Sequence, residues 1–411
     1  MVHKKLSYKW LIAFICFIMF FVILGLGNST SNLYIVPVTE YFGFNRGDFS
    51  LTFTIITIIG MLIQLFFGYF LERWGIRSLV IGGAILAPIA YLLFYCANSL
   101  SMFYIGAVIL GICFAFTSTT SISILINKWF DKDQGTLLGI ISAGSGFGGA
   151  LFTLIIGNQI TQNGFKSAYL LSVWILLIAA IPVLLFVRSD PSDIEKKERE
   201  DRNSERIEHS TNTKTKISFK TFIGNPHNAI GILAVFLMGI TIHPVLINTP
   251  AYLIEMGFDT EFATNVSSAI FFVLAFAKII LGIIHDKLGI KTSLYIGLIS
   301  FVLCSVILLF SKAQWSIWIM TIFMGIAVST LSVIVPLYVK ALLGKNDYEN
   351  FLGFFMAILS AGVAVGVPII NYAYDFSGNY SGIIGAYAVL GLLALVLAIF
   401  SLRKKQIQYT S

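Results

Sequence analysis

The sequence predicts an all-α membrane protein with twelve transmembrane helices, arranged as two parallel six-helix repeats. Three observations carry this prediction. Only 11% of the 411 residues are charged and 57% are hydrophobic, whereas soluble domains contain about 25% charged residues. Apolar stretches of about 20 residues, the length that spans a bilayer, recur along the whole chain. The second half of the chain also repeats features of the first half at a constant distance.

The apolar stretches are expected to be helices, because a helix pairs its own backbone polar groups and hydrocarbon offers no other partners. The stretch 78–127 is long enough for two spans, with a polar break at Asn98–Ser99. The first stretch is too long for the core of a signal peptide and is counted as span 1. The predicted spans cover residues 10–39, 49–71, 78–127 (spans 3 and 4), 134–165, 167–187, 221–254, 262–285, 292–311, 313–339, 350–374 and 376–402.

One segment in the middle of the chain differs from the rest. Residues 189–220 are charged, mixed in sign and poor in aromatic residues, which is typical of a solvated linker. We therefore predict an N-terminal half over residues 1–188, a cytosolic linker over 189–226 and a C-terminal half over 227–411.

Basic residues predict the orientation, because cytosolic loops carry an excess of Lys and Arg. With the N-terminus inside, 23 of the 27 basic residues lie in inside loops, and only Arg46, Lys166 and Lys312 lie in outside loops. Both termini and the linker are therefore predicted to be cytosolic, in a multi-pass protein of the cell (plasma or inner) membrane. This topology also explains the net charge of +7, so nucleic acid is not predicted as a partner.

Enzyme chemistry is not predicted. The four cysteines lie in apolar stretches without metal-ligand spacing and are expected to be small buried side chains. No P-loop pattern and no nucleophile–base constellation occurs in the sequence. We predict no metal, no cofactor and no ATP-driven step within this chain.

The internal repeat has a constant offset of 214 residues. The segment 68–77 aligns with 282–291, and both fit the pattern G-x-x-x-[DE]-[RK]-x-G-x-[RK]. The same offset gives further pairs, namely Gly43 with Gly257, Phe44 with Phe258, Gly111 with Gly325, Ser118 with Ser332, Leu138 with Leu352 and Gly139 with Gly353. Six spans return the chain to its starting side, so both halves have the same orientation, as in transporters with parallel repeats.

The doubled pattern resembles the signature loop of the major facilitator superfamily over essentially the whole chain. The resemblance implies that the two loops brace a cytosolic gate through charge pairs made in one state and broken in another. The alternative is that these charges only determine topology. The gate-motif residues are Gly68, Glu72, Arg73, Gly75, Arg77, Gly282, Asp286, Lys287, Gly289 and Lys291.

Two further motifs resemble the branch of monocarboxylate transporters and oxalate:formate antiporters. The first runs from Pro37 to Ser50 and the second from Lys128 to Gly139, followed by a glycine-rich span 5. The resemblance implies a small monocarboxylate substrate. The sequence departs from the branch at two positions. The branch usually has a basic residue before the glycine at 135, where this chain has Gln134. Animal members have an Asp one turn before a cation in span 8 (here Lys278), where this chain has Leu274, and this argues against a proton relay through a carboxylate.

Lys278 is the basic residue that has no loop to occupy. It precedes Asp286 by eight residues, which places it about 12 Å into the membrane, where a lysine costs about 3 kcal/mol or more. All acidic residues lie in loops or at predicted helix ends. In the branch that the chain resembles, the matching cation binds the substrate carboxylate, so Lys278 is predicted to bind substrate and to titrate. The alternative is a lysine that extends to the interface.

His243 lies in span 7 beside Pro244, which loosens the helix. Histidine titrates near physiological pH, so His243 is predicted to bind substrate or carry a coupling proton. The alternative is a neutral histidine bonded to a neighbouring helix. The offset of 214 relates His243 to Ser29 and Lys278 to Gln64, both polar. Further predicted substrate-binding residues are Asn28, Ser29, Gln64, Thr119 and Tyr338, with Ser118, Ser121 and Asn371 as weaker candidates.

The function predicted is a secondary active transporter that moves a lactate-, pyruvate- or formate-like anion together with a proton. The expected partners are the organic anion, the proton and the lipid bilayer, with the monomer as the functional form. Two other transport functions remain open, an organic-anion exchanger of the oxalate:formate type and an exporter of apolar compounds. A receptor or scaffold would leave the two-half repeat unexplained.

Overall fold

A computed structural model describes residues 2–190, 222, 224–311 and 313–402. It is 92% helical and contains no strand among these residues. The chain divides into two compact units, Met1–Lys216 (unit 1) and Ile217–Ser411 (unit 2). Lys312 and most of the predicted linker lie outside the described residues, so the predicted domain limits remain predictions.

Unit 1 begins with a helical segment that changes its winding several times. A π-helical turn at Phe20–Leu24 and a 3₁₀ turn at Ser31–Tyr34 separate its first three helices. The helices of unit 1 are α1 (Val2–Met19), α2 (Gly25–Ser29), α3 (Ile35–Phe42), α4 (Arg46–Leu65), α5 (Phe67–Cys96), α6 (Leu100–Phe116), α7 (Thr119–Trp129) and α8 (Gln134–Phe186).

Unit 2 has five α-helical stretches among its described residues, and in two of them two helical segments meet at a non-helical glycine, Gly289 and Gly344. A π-helical turn at Thr330–Ile334 joins the two helical parts of span 10. The helices of unit 2 are α9 (Pro226–Glu255), α10 (Thr260–Phe310), α11 (Gln314–Ser329), α12 (Val335–Ser377) and α13 (Ser381–Ser401).

The prediction of twelve transmembrane helices is confirmed. Nine helices of the described residues are long and apolar enough to cross a membrane. Two of these stretches, α8 with 53 residues and α10 with 51, are long enough for two crossings each, and in each the two segments meet at a non-helical glycine, Gly164 or Gly289. The shorter apolar helix Leu51–Leu65 provides the twelfth. The polar break predicted at Asn98–Ser99 lies between α5 and α6.

The repeat is visible in the backbone. Gly75 has φ 73° and ψ 157°, and Gly289, 214 residues later, has φ 83° and ψ 175°. This region is open almost only to glycine, so the chain bends at the centre of both gate motifs. The interruption of span 4 between α6 and α7 likewise corresponds to the π-helical turn of span 10.

Close packing of helices is also repeated. A Cβ atom at Gly148 would overlap the carbonyl oxygen of Phe21, and one at Gly362, its partner at offset 214, would overlap that of Phe236. Both glycines therefore allow two backbones to approach, as small residues do in membrane bundles. One detail of the sequence prediction is wrong: Cys96 is exposed because it ends α5, while the other three cysteines are buried.

Candidate substrate site

Lys278 lies in the first part of α10, eight residues before Asp286 and eleven before the bend at Gly289. Only 8% of its surface is exposed, and Ala275, Ala277 and Leu281 beside it are buried. A nearly buried lysine within an apolar helix is costly and marks a functional site in membrane proteins. Lys278 is therefore a nearly buried candidate residue on α10 rather than a surface lysine.

A cavity of about 200 Å³ lies beside His243, between α9 and α10. Its lining is mainly apolar, and His243 and Ser267 are its two polar members. The complete lining is His243, Leu246, Ile247, Pro250, Ser267, Ile270 and Phe271.

Lys278 and the cavity share one face of α10. Phe271 and Ser267 precede Lys278 by 7 and 11 residues, which are nearly whole numbers of turns. Side chains of a helix lean toward its N-terminus, so the aliphatic chain of Lys278 leans toward the cavity. α9 and α10 are joined by a short turn, Met256–Asp259, which makes them antiparallel. His243 therefore lies at about the depth of Phe271, on the side of the cavity nearer to Lys278.

Local sequence explains the position of His243. Pro244 lacks an N–H, so the carbonyl of Ile240 loses its intrahelical donor, and Gly366 of α12 packs directly against that carbonyl. The side-chain amide of Asn248 donates to the Pro244 carbonyl at 2.9 Å. The Nδ1 atom of His243 is buried and has no hydrogen-bond partner among the described residues. It is available to a ligand, to water or to a proton.

The predicted polar residues of unit 1 have different environments. Gln64 is half-buried, and its Oε1 atom is buried without a hydrogen-bond partner in the described part of the chain. Ser29 is exposed and packs against Gly149 of α8. Thr119 begins α7 and is half-buried. The side chain of Asn28 lies outside the described part of the structure.

Polar groups along α7 continue the row that begins with the predicted Ser118 and Thr119, and three of them, Thr120, Ser123 and Asn127, are not among the predicted residues. Ser118, Thr120, Ser123 and Asn127 are buried, and their side-chain polar atoms have no hydrogen-bond partner among the residues described. Thr120, Ser123 and Asn127 follow the helical spacing of three and four residues, so they share one face. The signal was present in the sequence, because polar residues are rare in this chain and this row continues the predicted Ser118 and Thr119.

Tyr338 and Asn371 have their own partners within unit 2. The hydroxyl of Tyr338 lies 2.5 Å from that of Ser401, and the Tyr338 side chain is fully buried against Gly231. Asn371 is exposed and donates to the carbonyl of Val367. The structure thus brings His243 together with Ser267 and Phe271, which the sequence prediction missed, but does not bring Tyr338 to this cavity.

Each gate motif lies where two helical segments meet at a non-helical glycine, Gly75 in unit 1 and Gly289 in unit 2. Glu72 and Arg73 are exposed, and the guanidinium of Arg73 donates to the Tyr69 hydroxyl at 3.3 Å. The Nε atom of Arg77 is buried without a hydrogen-bond partner among the described residues. In unit 2, His285 lies within electrostatic range of Asp286 and of Lys340 from α12.

Comparison with known families agrees with this architecture. The family model described as Major Facilitator Superfamily matches residues 14–347 and 265–409. The chain belongs to the major facilitator superfamily. It is therefore a multi-pass membrane transporter of the superfamily fold.

Individual members of the superfamily resemble the chain only distantly. The hexuronate transporter of Bacillus subtilis is 22% identical over 374 residues, covering 85% of this chain and 83% of that protein. The agnestins efflux protein of Paecilomyces divaricatus is 20% identical over 337 residues, covering 80% and 73%. Another B. subtilis protein, described as an uncharacterized MFS-type transporter, is 22% identical, but the chain covers only 45% of its length.

Solved structures of the superfamily have the same fold. The proton:xylose symporter superposes with a TM-score of 0.77 at 13% identity, covering 96% of each chain. The Escherichia coli fucose:proton symporter superposes with a TM-score of 0.72 at 16% identity, covering 96% of this chain and 99% of that one.

Proposed function

We propose that the protein is a secondary active transporter of small monocarboxylates, such as lactate, pyruvate or formate, that moves the anion together with a proton by alternating access. It works as a monomer, with both termini on the cytosolic side of the cell membrane. The observation that carries this proposal is Lys278, a nearly buried cation on the helix face that leads to a cavity containing His243.

The chemistry of these two residues suits an anion with a proton. A lysine ammonium supplies a compact positive charge with three donors for a carboxylate. A histidine changes its charge near physiological pH. A monoanion and one proton together carry no net charge, so their joint movement does not work against the membrane potential.

The gate motifs complete the proposed cycle. Glu72, Arg73 and Arg77 in unit 1, and Asp286, Lys287 and Lys291 in unit 2, hold the cytosolic gate closed in the outward-open state. The bends at Gly75 and Gly289 set the direction of the helix segments that carry these charges.

The direct test is uptake of radiolabelled lactate, pyruvate or formate into proteoliposomes under an inward proton gradient. The wild-type protein should accumulate at least one of these acids saturably. Lys278→Ala should abolish this uptake, while Lys278→Arg should retain part of it because the charge remains. Unchanged uptake by Lys278→Ala would show that the site assignment is wrong.

Exchange of anions is separated from proton coupling by the same preparation. A symporter accumulates substrate when only a proton gradient is applied, whereas an exchanger needs an anion inside the vesicle. Counterflow without any gradient-driven accumulation would therefore identify an organic-anion exchanger.

Export of apolar compounds is the second candidate function. It is favoured by the apolar lining of the cavity and by relatives whose names describe efflux, the fujikurins and agnestins efflux proteins. The buried Lys278 opposes a neutral or cationic cargo. A drug-susceptibility panel on an overexpressing strain tests it: increased resistance to neutral apolar compounds, without uptake of carboxylates, would favour export.

A further inference from the structure

The cavity beside His243 is larger than a short acid requires. A water molecule occupies about 30 Å³ in the liquid, so a space of about 200 Å³ corresponds to six or seven non-hydrogen atoms. The apolar part of lactate is one methyl group. A lactate bound at Lys278 would therefore leave most of this space without contacts.

The lining fits a hydrocarbon chain. Leu246 and Ile270 are buried and form the closed side of the cavity, while Ile247 and Phe271 are about half exposed and form its open side. The hydroxyl of Ser267 already donates to the carbonyl of Ala263, so it does not require a polar ligand. The remaining polar member, His243, lies on the side that faces Lys278.

The distance between cavity and cation fits one molecule. The Cα atoms of Phe271 and Lys278 are about 10 Å apart along the helix, and the lysine side chain leans back across part of that distance. A carboxylate held by Lys278 can therefore extend a chain of a few carbons past His243 and into the cavity. Lys278 and the apolar cavity lie on the same face of α10, so one molecule can place its carboxylate at the lysine and its hydrocarbon tail in the cavity.

We propose that this cavity receives the apolar tail of the substrate, and that monocarboxylates with tails of about five to seven carbons bind more tightly than lactate, pyruvate or formate, which bind at the same lysine but leave the cavity unfilled. This inference rests on the proposed binding of a carboxylate by Lys278. It goes beyond that proposal by assigning selectivity for the length of the substrate's hydrocarbon tail to Leu246, Ile247, Ile270 and Phe271.

The test is a homologous series of unbranched acids, from propionate to decanoate. Binding is measured by calorimetry with the purified full-length protein in lipid nanodiscs, with empty nanodiscs as the reference for partitioning into lipid. Each methylene moved from water into the cavity should raise the affinity about fourfold. The affinity should stop rising at about eight carbons, when the cavity is full.

Two neighbouring serines provide a matched pair of variants. Ser267→Phe fills the cavity and should remove the dependence on chain length, so that octanoate binds no more tightly than propionate. Ser268→Phe adds the same ring at an exposed position outside the cavity lining and should behave as wild type. Ile247→Trp, at the half-exposed rim, is a second filling variant if Ser267→Phe does not fold.

Each outcome separates the two proposals. If propionate and lactate bind as tightly as octanoate, and Lys278→Ala abolishes binding of all three, the tail cavity is wrong and the monocarboxylate function stands. If no acid binds the wild-type protein, the proposed function itself fails. If the corresponding alcohols bind as tightly as the acids and Lys278→Ala has no effect, the cavity holds a lipid acyl chain or another neutral apolar molecule, which also overturns the inference.

Discussion

The two units share a backbone design and differ in the chemistry of their polar residues. Gly75 and Gly289 bend the chain at equivalent positions, and Gly148 and Gly362 each accept a neighbouring backbone. The buried polar side chains of α7 in unit 1 are neutral hydroxyls and an amide. Unit 2 also buries neutral polar side chains such as Thr241 and Asn248, but it contains in addition Lys278 and His243.

The difference indicates which features of the repeat are constrained by folding. The bend pair Gly75 and Gly289 and the contact pair Gly148 and Gly362 have the same residue in both units, because a side chain there would strain or separate the helices. Positions that face polar or empty space have diverged. These features of the scaffold are thus common to both units, and the proposed anion site lies in one of them, as expected when function is grafted on a fold.

Exchanging the charge between the units gives the largest expected effect. Gln64 and Lys278 occupy equivalent positions in the sequence repeat, so the double variant Gln64→Lys with Lys278→Gln preserves the net charge. We expect lactate uptake in proteoliposomes to fall at least as far as in Lys278→Gln alone, because the cavity beside His243 remains in unit 2. Recovery to wild-type uptake would show that the two units are chemically interchangeable.

Replacing either glycine of the pair Gly148 and Gly362 by alanine should lower the stability of the protein to a similar extent. Gly148→Ala and Gly362→Ala each place a methyl group against a backbone carbonyl, and overpacking costs about 1–3 kcal/mol. The apparent Tm of the purified protein should fall by about 2–12 °C. Gly157→Ala is the control, since its nearest new contact, with Leu33 Cδ1, is at 4.0 Å. A loss in only one variant of the pair would contradict the equivalence of the helix contacts.

The smallest expected effect is on the pH dependence of uptake. If the proton is a co-substrate, uptake by wild-type protein rises as the outside pH falls from 8 to 6. His243→Gln should flatten this profile severalfold while counterflow, which needs no net proton movement, continues. His227→Gln is the matched control, because His227 is in the same helix and its Nδ1 atom is likewise buried without a partner among the described residues. The same flattening in both variants would remove the special role of His243.

Much of the fold could be predicted because apolar length and basic residues report directly on the membrane. The twelve spans, the break at Asn98–Ser99 and the depth of Lys278 in span 8 need no knowledge of tertiary contacts. The tightness of the connection at the gate motifs could not be predicted, because a single glycine, Gly75 or Gly289, turns the chain between two helical segments without a longer loop.

The site could be predicted only in part, because cavities depend on contacts between helices. Lys278 and His243 are conspicuous in an apolar sequence. Ser267 and Phe271 are ordinary residues of a membrane helix, and their place in the cavity lining depends on how α10 packs beside α9. Tyr338 is a residue type common in binding sites, yet its hydroxyl is hydrogen-bonded to that of Ser401, 63 residues away.

Saturation binding of radiolabelled lactate to the purified protein tests most directly the claim that unit 2 holds the anion. Three proteins are compared at equal concentration: wild type, Lys278→Ala and Gln64→Ala. Both variants must first show the wild-type elution volume and helical content. We expect no saturable binding by Lys278→Ala. Gln64→Ala should bind lactate within about tenfold of wild type, because at most one neutral hydrogen bond is lost. Saturable binding by Lys278→Ala together with its loss in Gln64→Ala would contradict an anion site at Lys278 in unit 2.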